Sequence, residues 1–165
     1  TFHKMPFLWR FHAVHHSIKA VDWIAGSRLH IVDILLTRSF SYLPMYLIGF
    51  SIEVFYMYVI IVSLQAVGAH ANTRIPFGFL KYIIVTPQYH HWHHSDDPAT
   101  YDKNFAIHFP FIDLVFGTYH LPDNQWPKST GLSETKFPKG YLKQLFFPFK
   151  KDPAEVQEVK NPSDR

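Results

Sequence analysis

An apolar stretch from Ile31 to Ala69 lies between two copies of one histidine pattern, and this arrangement constrains the chain more than any other feature. The first copy is His12-Ala13-Val14-His15-His16 and the second is His90-His91-Trp92-His93-His94; both read HxxHH and both are followed by Ser. Between Tyr42 and Gln65 the only formal charge is Glu53, and a run of that length and polarity reads as membrane-embedded. A single crossing would leave the two patterns on opposite faces of a bilayer and forbid a shared site. Two crossings return the chain to the face it left. The expectation is therefore a helical hairpin, with one helix from about Ile31 to Phe50 and a second from about Ile52 to His70, each near the roughly 20 residues that a bilayer requires. Gly49 and Ser51 supply the turn, and Arg28, Arg74 and Lys81 flank the histidine-bearing ends as cytoplasmic residues do. Asp33 and Arg38 fall early in the first helix and must snorkel, pair locally, or shorten the span. Glu53, beside the bend, reads as interfacial.

The histidine pattern itself points to metal. Steps of 100° along a helix put the first, fourth and fifth residues of HxxHH within an arc of about 100°, so one face presents three imidazoles. Three convergent neutral nitrogens suffice to hold one metal and leave positions open for chemistry, so two triplets suggest two metals. Brought together without metal, six histidines would lose hydration and repel one another whenever protonated, a poor way to build a core. The chain has 12 His in 165 residues and no Cys. The missing thiols exclude a disulfide scaffold, zinc ribbons, cysteine-ligated iron–sulfur clusters and a Cys nucleophile, which leaves nitrogen and oxygen as ligands.

Charge adds little. Lys and Arg number 16 against 13 Asp and Glu, and no clustered basic helix or finger spacing accompanies the pI near 9.0, so no nucleic-acid partner is expected. No G-x-G-x-x-G stands behind a nucleotide or flavin site, so electrons for any redox chemistry must arrive from outside the chain. Two other classes stand beside a redox enzyme. A zinc-dependent membrane hydrolase would use fewer histidines and a Glu base as in H-E-x-x-H, which does not occur here. A non-enzymatic membrane metal carrier would string its ligands, carboxylates among them, along a path.

The order of these motifs resembles the fatty acid hydroxylase superfamily, also called the sterol desaturase family, whose members are membrane-bound histidine-box di-iron oxygenases. The matching stretches are His3 as the last residue of a first box, LWRFHAVHHS, the isolated His70 in GAHANTR, QYHHWHHS, KNFA at 103–106, and FIDLVFGTYH at 111–120. The resemblance implies an all-α integral membrane helical bundle whose histidine-rich metal-binding region lies on one face. It also implies that the chain is N-terminally incomplete, since the first His and Arg of the opening box would precede Thr1. It implies iron ligands at His3, His12, His15, His16, His70, His90, His93 and His94, two non-haem iron ions, O2 as co-substrate and an external electron donor such as a reductase. The implied reaction hydroxylates or desaturates a C–H bond of a lipid, the two outcomes sharing a hydrogen abstraction.

Within that set His3 and His12 lie nine positions apart, about 180° on one continuous helix, and Pro6 between them provides the break. Where some members carry a further His, four residues after the isolated one, Arg74 stands here, and Asn72 reads as an ordinary polar surface residue. His30, His91, His108 and His120 fall outside the motif; His91 points about 100° away from its neighbour His90, toward solvent or a supporting contact. Asn104 and Asp113 match signature positions, and each either orients a ligand imidazole through its free N–H or serves as a turn residue and a helix cap. Trp9 and Trp92 read as packing residues. Residues 1–150 form the hydroxylase-like domain, and residues 151–165 a polar, disordered tail. Within the domain, Phe77–Val85 is too short to span a membrane and reads as a short helix or interfacial segment. Tyr141–Lys151, mixing aromatics with Lys, either lies on a membrane surface or packs on the domain.

Overall fold

The structure is a computed structural model that describes residues 2–132 and 137–149. Its first helix, α1 (Pro6–His16), starts at a proline in the first helical turn, where the missing N–H costs nothing. This is the break expected between His3, which precedes the helix, and His12, which lies on it. A short 3₁₀ turn at Ala25–Ser27 leads into α2 (Ile31–Ile48). His30 caps α2: its Nδ1 accepts from the Val32 N–H, and its Nε2 donates to the carbonyl of Leu145 at 3.0 Å.

The hairpin is formed, with its bend where the glycine predicts it. Gly49 takes the left-handed conformation at φ 87°, and the N–H groups of Gly49 and Phe50 close back onto Tyr46 and Met45, so the last carbonyls of α2 are satisfied. α3 (Ile52–His70) then runs back to the histidine end. At 1.5 Å per residue the two helices are about 27–28 Å long, close to the hydrocarbon thickness of a bilayer, and both are apolar enough to cross one. Their burial pattern is the reverse of a soluble core helix. Asp33 is the buried residue of α2, and Ala69 and His70 are those of α3, whereas Phe40, Leu47 and Leu64 are exposed. α2 touches α3 through an edge-on contact of Tyr42 with Phe55.

Beyond the hairpin the elements are short. Phe77–Val85 contains a 3₁₀ turn at Gly78–Tyr82. α4 (Pro87–His93) is capped by the Thr86 side chain, which accepts from the Tyr89 N–H. α5 (Phe111–Phe116) lies between Pro110 and the left-handed Gly117, and α6 (Tyr141–Phe146) is followed by a 3₁₀ turn at Phe147–Phe149. Among the described residues no strand forms, only an isolated bridge between Ser95 and Thr130. Buried apolar residues gather in small clusters at the histidine end. Trp9, Ala13, Leu132 and Phe147 form one, and Ala69, Val85 and Tyr89 another. The packing role read for Trp9 is thus met, and Phe147 puts the segment after α6 against α1. The segment from 151 to 165 lies outside the described residues.

Candidate metal centre

The eight motif histidines meet at one end of the hairpin, but not triplet by triplet. His3, His12, His16 and His93 form one group and His15, His70, His90 and His94 the other, and within each group the ligand atoms all lie within 4.8 Å of one another. Each HxxHH is therefore divided, which corrects the expectation of one metal per triplet. The physical reason is angular. On α1, His12 and His16 are one turn apart and stand nearly in line, whereas His15 leads them by roughly 60–100° and faces the neighbouring group. α4 repeats the division in reverse, sending His90 and His94 to the second group and His93 to the first. The groups adjoin: the rings of His16 and His94 stack with centroids 4.4 Å apart.

Ring orientation is set from outside the groups. The Nδ1–H of His15 donates to the Arg28 carbonyl at 3.2 Å, that of His70 to Ala66 at 2.8 Å, and that of His93 to Lys103 at 3.1 Å. A carbonyl can only accept, so each of these rings carries its proton on Nδ1 and leaves Nε2 bare. The Nε2 atoms converge. Nε2 of His70 lies 3.2 Å from that of His15 and 2.9 Å from that of His90, and Nε2 of His16 lies 3.2 Å from that of His93. Nitrogens at right angles about an ion roughly 2.1 Å away are about 3.0 Å apart. Between His15 and His70 two lone pairs face each other at that distance, and they repel unless a cation lies between them. His94 adds a buried Nδ1 without a hydrogen-bond partner among the described residues. The donor set, all imidazole, suits iron as well as other first-row metals.

Burial keeps these rings neutral and hence able to ligate. It is the largest cause lowering the pKa of His15, His16, His90 and His94 well below the ordinary histidine value, with neighbouring histidines adding repulsion. For His93, burial outweighs the supporting Lys103 carbonyl and pushes the pKa down to about 4.

One partner of the site is acidic, and motif reading missed it. Asp33 accepts from the Nδ1–H of His12 at 2.7 Å and from the Thr37 hydroxyl at 3.1 Å. It neither snorkels nor shortens α2; it turns inward to a histidine of the first group. The signal was present in the sequence, since a carboxylate in the first turn of an apolar helix needs a partner. Arg38, the other charge in α2, instead lies over the Tyr42 ring. Gly26 was missed too: a Cβ there would lie 3.0 Å from His70 Nδ1, so the bare backbone lets that ring pass.

Asn104 and Asp113 hold backbone rather than imidazole, a correction to the orienting role considered for them. Asn104, at φ 57°, donates to the carbonyls of Tyr89 and His120 and accepts from the His120 N–H. The Asp113 carboxylate accepts from the N–H groups of Phe105 and Ala106 and from the hydroxyls of Tyr89 and Thr118. Together they tie the loop after α4 to the helix that carries His90, His93 and His94. His91 is buried rather than solvent-facing, edge-on to Trp126. Trp92 donates to the Gln125 carbonyl. His108 bonds Tyr58 and Gln65 of α3.

A family model described as fatty acid hydroxylase matches residues 1–118. The chain is 35% identical over 148 residues to ornithine lipid hydroxylase OlsE of Rhizobium tropici, covering 89% of this chain and 44% of that protein. It is 30% identical over 121 residues to alkylglycerol monooxygenase of Danio rerio, covering 71% and 26%. To methylsterol monooxygenase 1-2 of Arabidopsis thaliana it is 25% identical over 111 residues, covering 66% and 37%. It thus spans less than half the length of each of these relatives. No solved structure matches it. By the extent of the family match and its likeness to the hydroxylase of Rhizobium tropici, the chain belongs to the fatty acid hydroxylase family.

Proposed function

We propose that this chain carries the metal-binding part of a membrane-bound oxidoreductase that uses O2 to hydroxylate or desaturate a C–H bond of a lipid. In this reading two non-haem iron ions are held, one by His3, His12, His16 and His93 and the other by His15, His70, His90 and His94. The observation that carries it is the pair of adjoining groups, in each of which four imidazoles bring their ligand atoms within 4.8 Å of one another. When bound, iron supplies the redox capacity to activate O2 against an unactivated C–H bond, which side-chain acid–base chemistry does not reach.

The chain's own residues do the rest. Buried histidines stay neutral and present lone pairs, and carbonyls of Arg28, Ala66 and Lys103 fix their rings. Asp33 makes His12 a stronger donor by taking a share of its Nδ1 proton. α2 and α3 supply the apolar surface along which a lipid approaches. A lipid substrate is supported by the relatives, named for their action on ornithine lipid, alkylglycerol and methylsterol. The electron donor is a separate protein or reductase. The histidine end faces the cytoplasm, with Arg28, Arg74 and Lys81 beside it. Since the chain covers only part of each relative, activity is proposed for the longer protein that contains it, and residues 1–165 alone are expected to be inactive.

The test is a turnover of the iron-loaded longer protein in lipid with reductant and ¹⁸O2, read by mass spectrometry. Gain of one labelled oxygen, or loss of two hydrogens, in a lipid supports the reading. A lipid profile that does not change under iron, reductant and O2 contradicts it.

A further inference from the structure

The run from Phe109 to Tyr119 carries a single formal charge, Asp113, and that charge is turned inward. Its carboxylate is buried against Tyr89, Thr118 and the N–H groups of Phe105 and Ala106. The apolar side chains of the same run point the other way: Val115 is 78% and Phe116 77% exposed, and Phe109, Phe111 and Leu114 are each about half exposed. In water this pattern is costly, because Phe and Val side chains face solvent while the one charge is removed from it.

Contacts with α3 fix where this run lies. His108, at its start, bonds the Tyr58 hydroxyl at 3.2 Å and the Gln65 side chain at 2.9 Å, and Gln65 donates to the His108 carbonyl. Tyr58 and Gln65 precede His70 by twelve and five residues, which along a helix is about 18 Å and 7–8 Å. Helix side chains lean toward the N-terminus, here away from the histidine end, so His108 lies well down the length of α3. The run returns at Tyr119, whose hydroxyl reaches the carbonyl of Lys81, beside the exposed Lys81–Asp123 ion pair. Its backbone is closed on itself or its neighbours at many points, as hydrocarbon demands. The Pro110 carbonyl accepts from Asp113 and Leu114, and the Asp113 carbonyl accepts from Thr118 and Tyr119.

We infer that residues 107–116 form a re-entrant segment that dips into the acyl layer of the bilayer beside α3 and returns to the same face. The occupant of its apolar face is the lipid acyl chain, because α3, to which His108 is bonded, is itself the membrane helix. The inference rests on the membrane reading of α2 and α3. It adds a lipid-contacting element whose base is joined to the site, since Lys103, just before it, holds His93.

The test places single cysteines at Val115→Cys, at Leu64→Cys on α3 and at Lys128→Cys as an aqueous reference; residues 1–165 have no Cys of their own, and any elsewhere in the longer protein is first replaced by Ser. The longer protein, in phosphatidylcholine vesicles, carries a fluorescent label at one of these positions. Expected is quenching at position 115 by acyl-chain-brominated lipid, to the extent seen at 64, with no quenching by aqueous iodide. Iodide quenching at 115 equal to that at 128, with 64 still lipid-embedded, overturns the re-entrant segment and leaves the membrane hairpin standing. Iodide quenching at 64 overturns both.

Discussion

The contact between His12 and Asp33 joins a histidine of the first group to the apolar helix α2 through one carboxylate. Removing it by Asp33→Ala leaves the His12 ring unoriented, and loss of such a supporting partner typically costs about 10–100-fold in metal affinity. The expected outcome is a weakened first group and an intact second one, read by metal titration with Mössbauer spectroscopy. Gly26→Ala tests the second group in the same way. Its Cβ would lie 3.0 Å from His70 Nδ1, the atom whose N–H bonds the Ala66 carbonyl and orients the ring. A shift of His70 and loss of metal from the second group are expected, with the first group unaffected. Six of the eight histidines were legible in the spacing of the two HxxHH motifs, whereas His3 and His70 entered only through the resemblance to the family. The division into groups was not legible, because it depends on how α1 and α4 face each other and on where His3 and His70 arrive. Asp33 was visible as an anomaly but not as a partner, since its contact spans two elements.

Among the elements, the hairpin was the most legible. Length, apolarity and Gly49 gave its limits to within two residues at the bend, where α2 ends at Ile48 instead of Phe50. The loops beyond α4 were the least legible, because Asn104 and Asp113 act there through backbone groups that no side-chain pattern announces. Asn104→Ala removes partners from the Tyr89 and His120 carbonyls and from the His120 N–H. Each group left unpartnered costs about 1–3 kcal/mol, so unfolding in detergent, followed by tryptophan fluorescence, should come at clearly lower temperature. Asn104→Asp tolerates the positive φ but sets a buried carboxylate oxygen against the same two carbonyls, so it should lose at least as much. If both variants unfold like the parent, these bonds do not hold the loop.

The histidine end as a whole should respond to acid. Burial lowers the pKa of His15, His16, His90 and His94 and brings His93 from 6.5 to about 4. The unfolded chain therefore binds protons at a higher pH than the folded one, and stability rises with pH across that interval. Without metal, stability is fully present above about 6.5 and is lost as the pH falls toward about 4. Bound metal competes with the same protons and is released in the same direction. Thermal unfolding of the metal-free protein against pH checks this; a flat profile between those limits would count against five neutral imidazoles held away from water. At this scale the histidine motifs and the apolar hairpin made legible two helices apolar enough to cross a membrane and a histidine cluster able to hold metal, while the carbonyls that fix the rings lay beyond any motif. The central claim is that two iron ions sit in two groups that share both HxxHH motifs. Its most direct test is the iron-to-protein ratio of the longer protein, purified in mild detergent, beside its His12→Ala and His15→Ala variants. The account predicts two iron ions per chain in the parent. Each variant should lose one, from different groups despite lying on the same triplet, with distinct Mössbauer spectra for the iron that remains. One metal per chain in the parent, or the same iron lost in both variants, would contradict it.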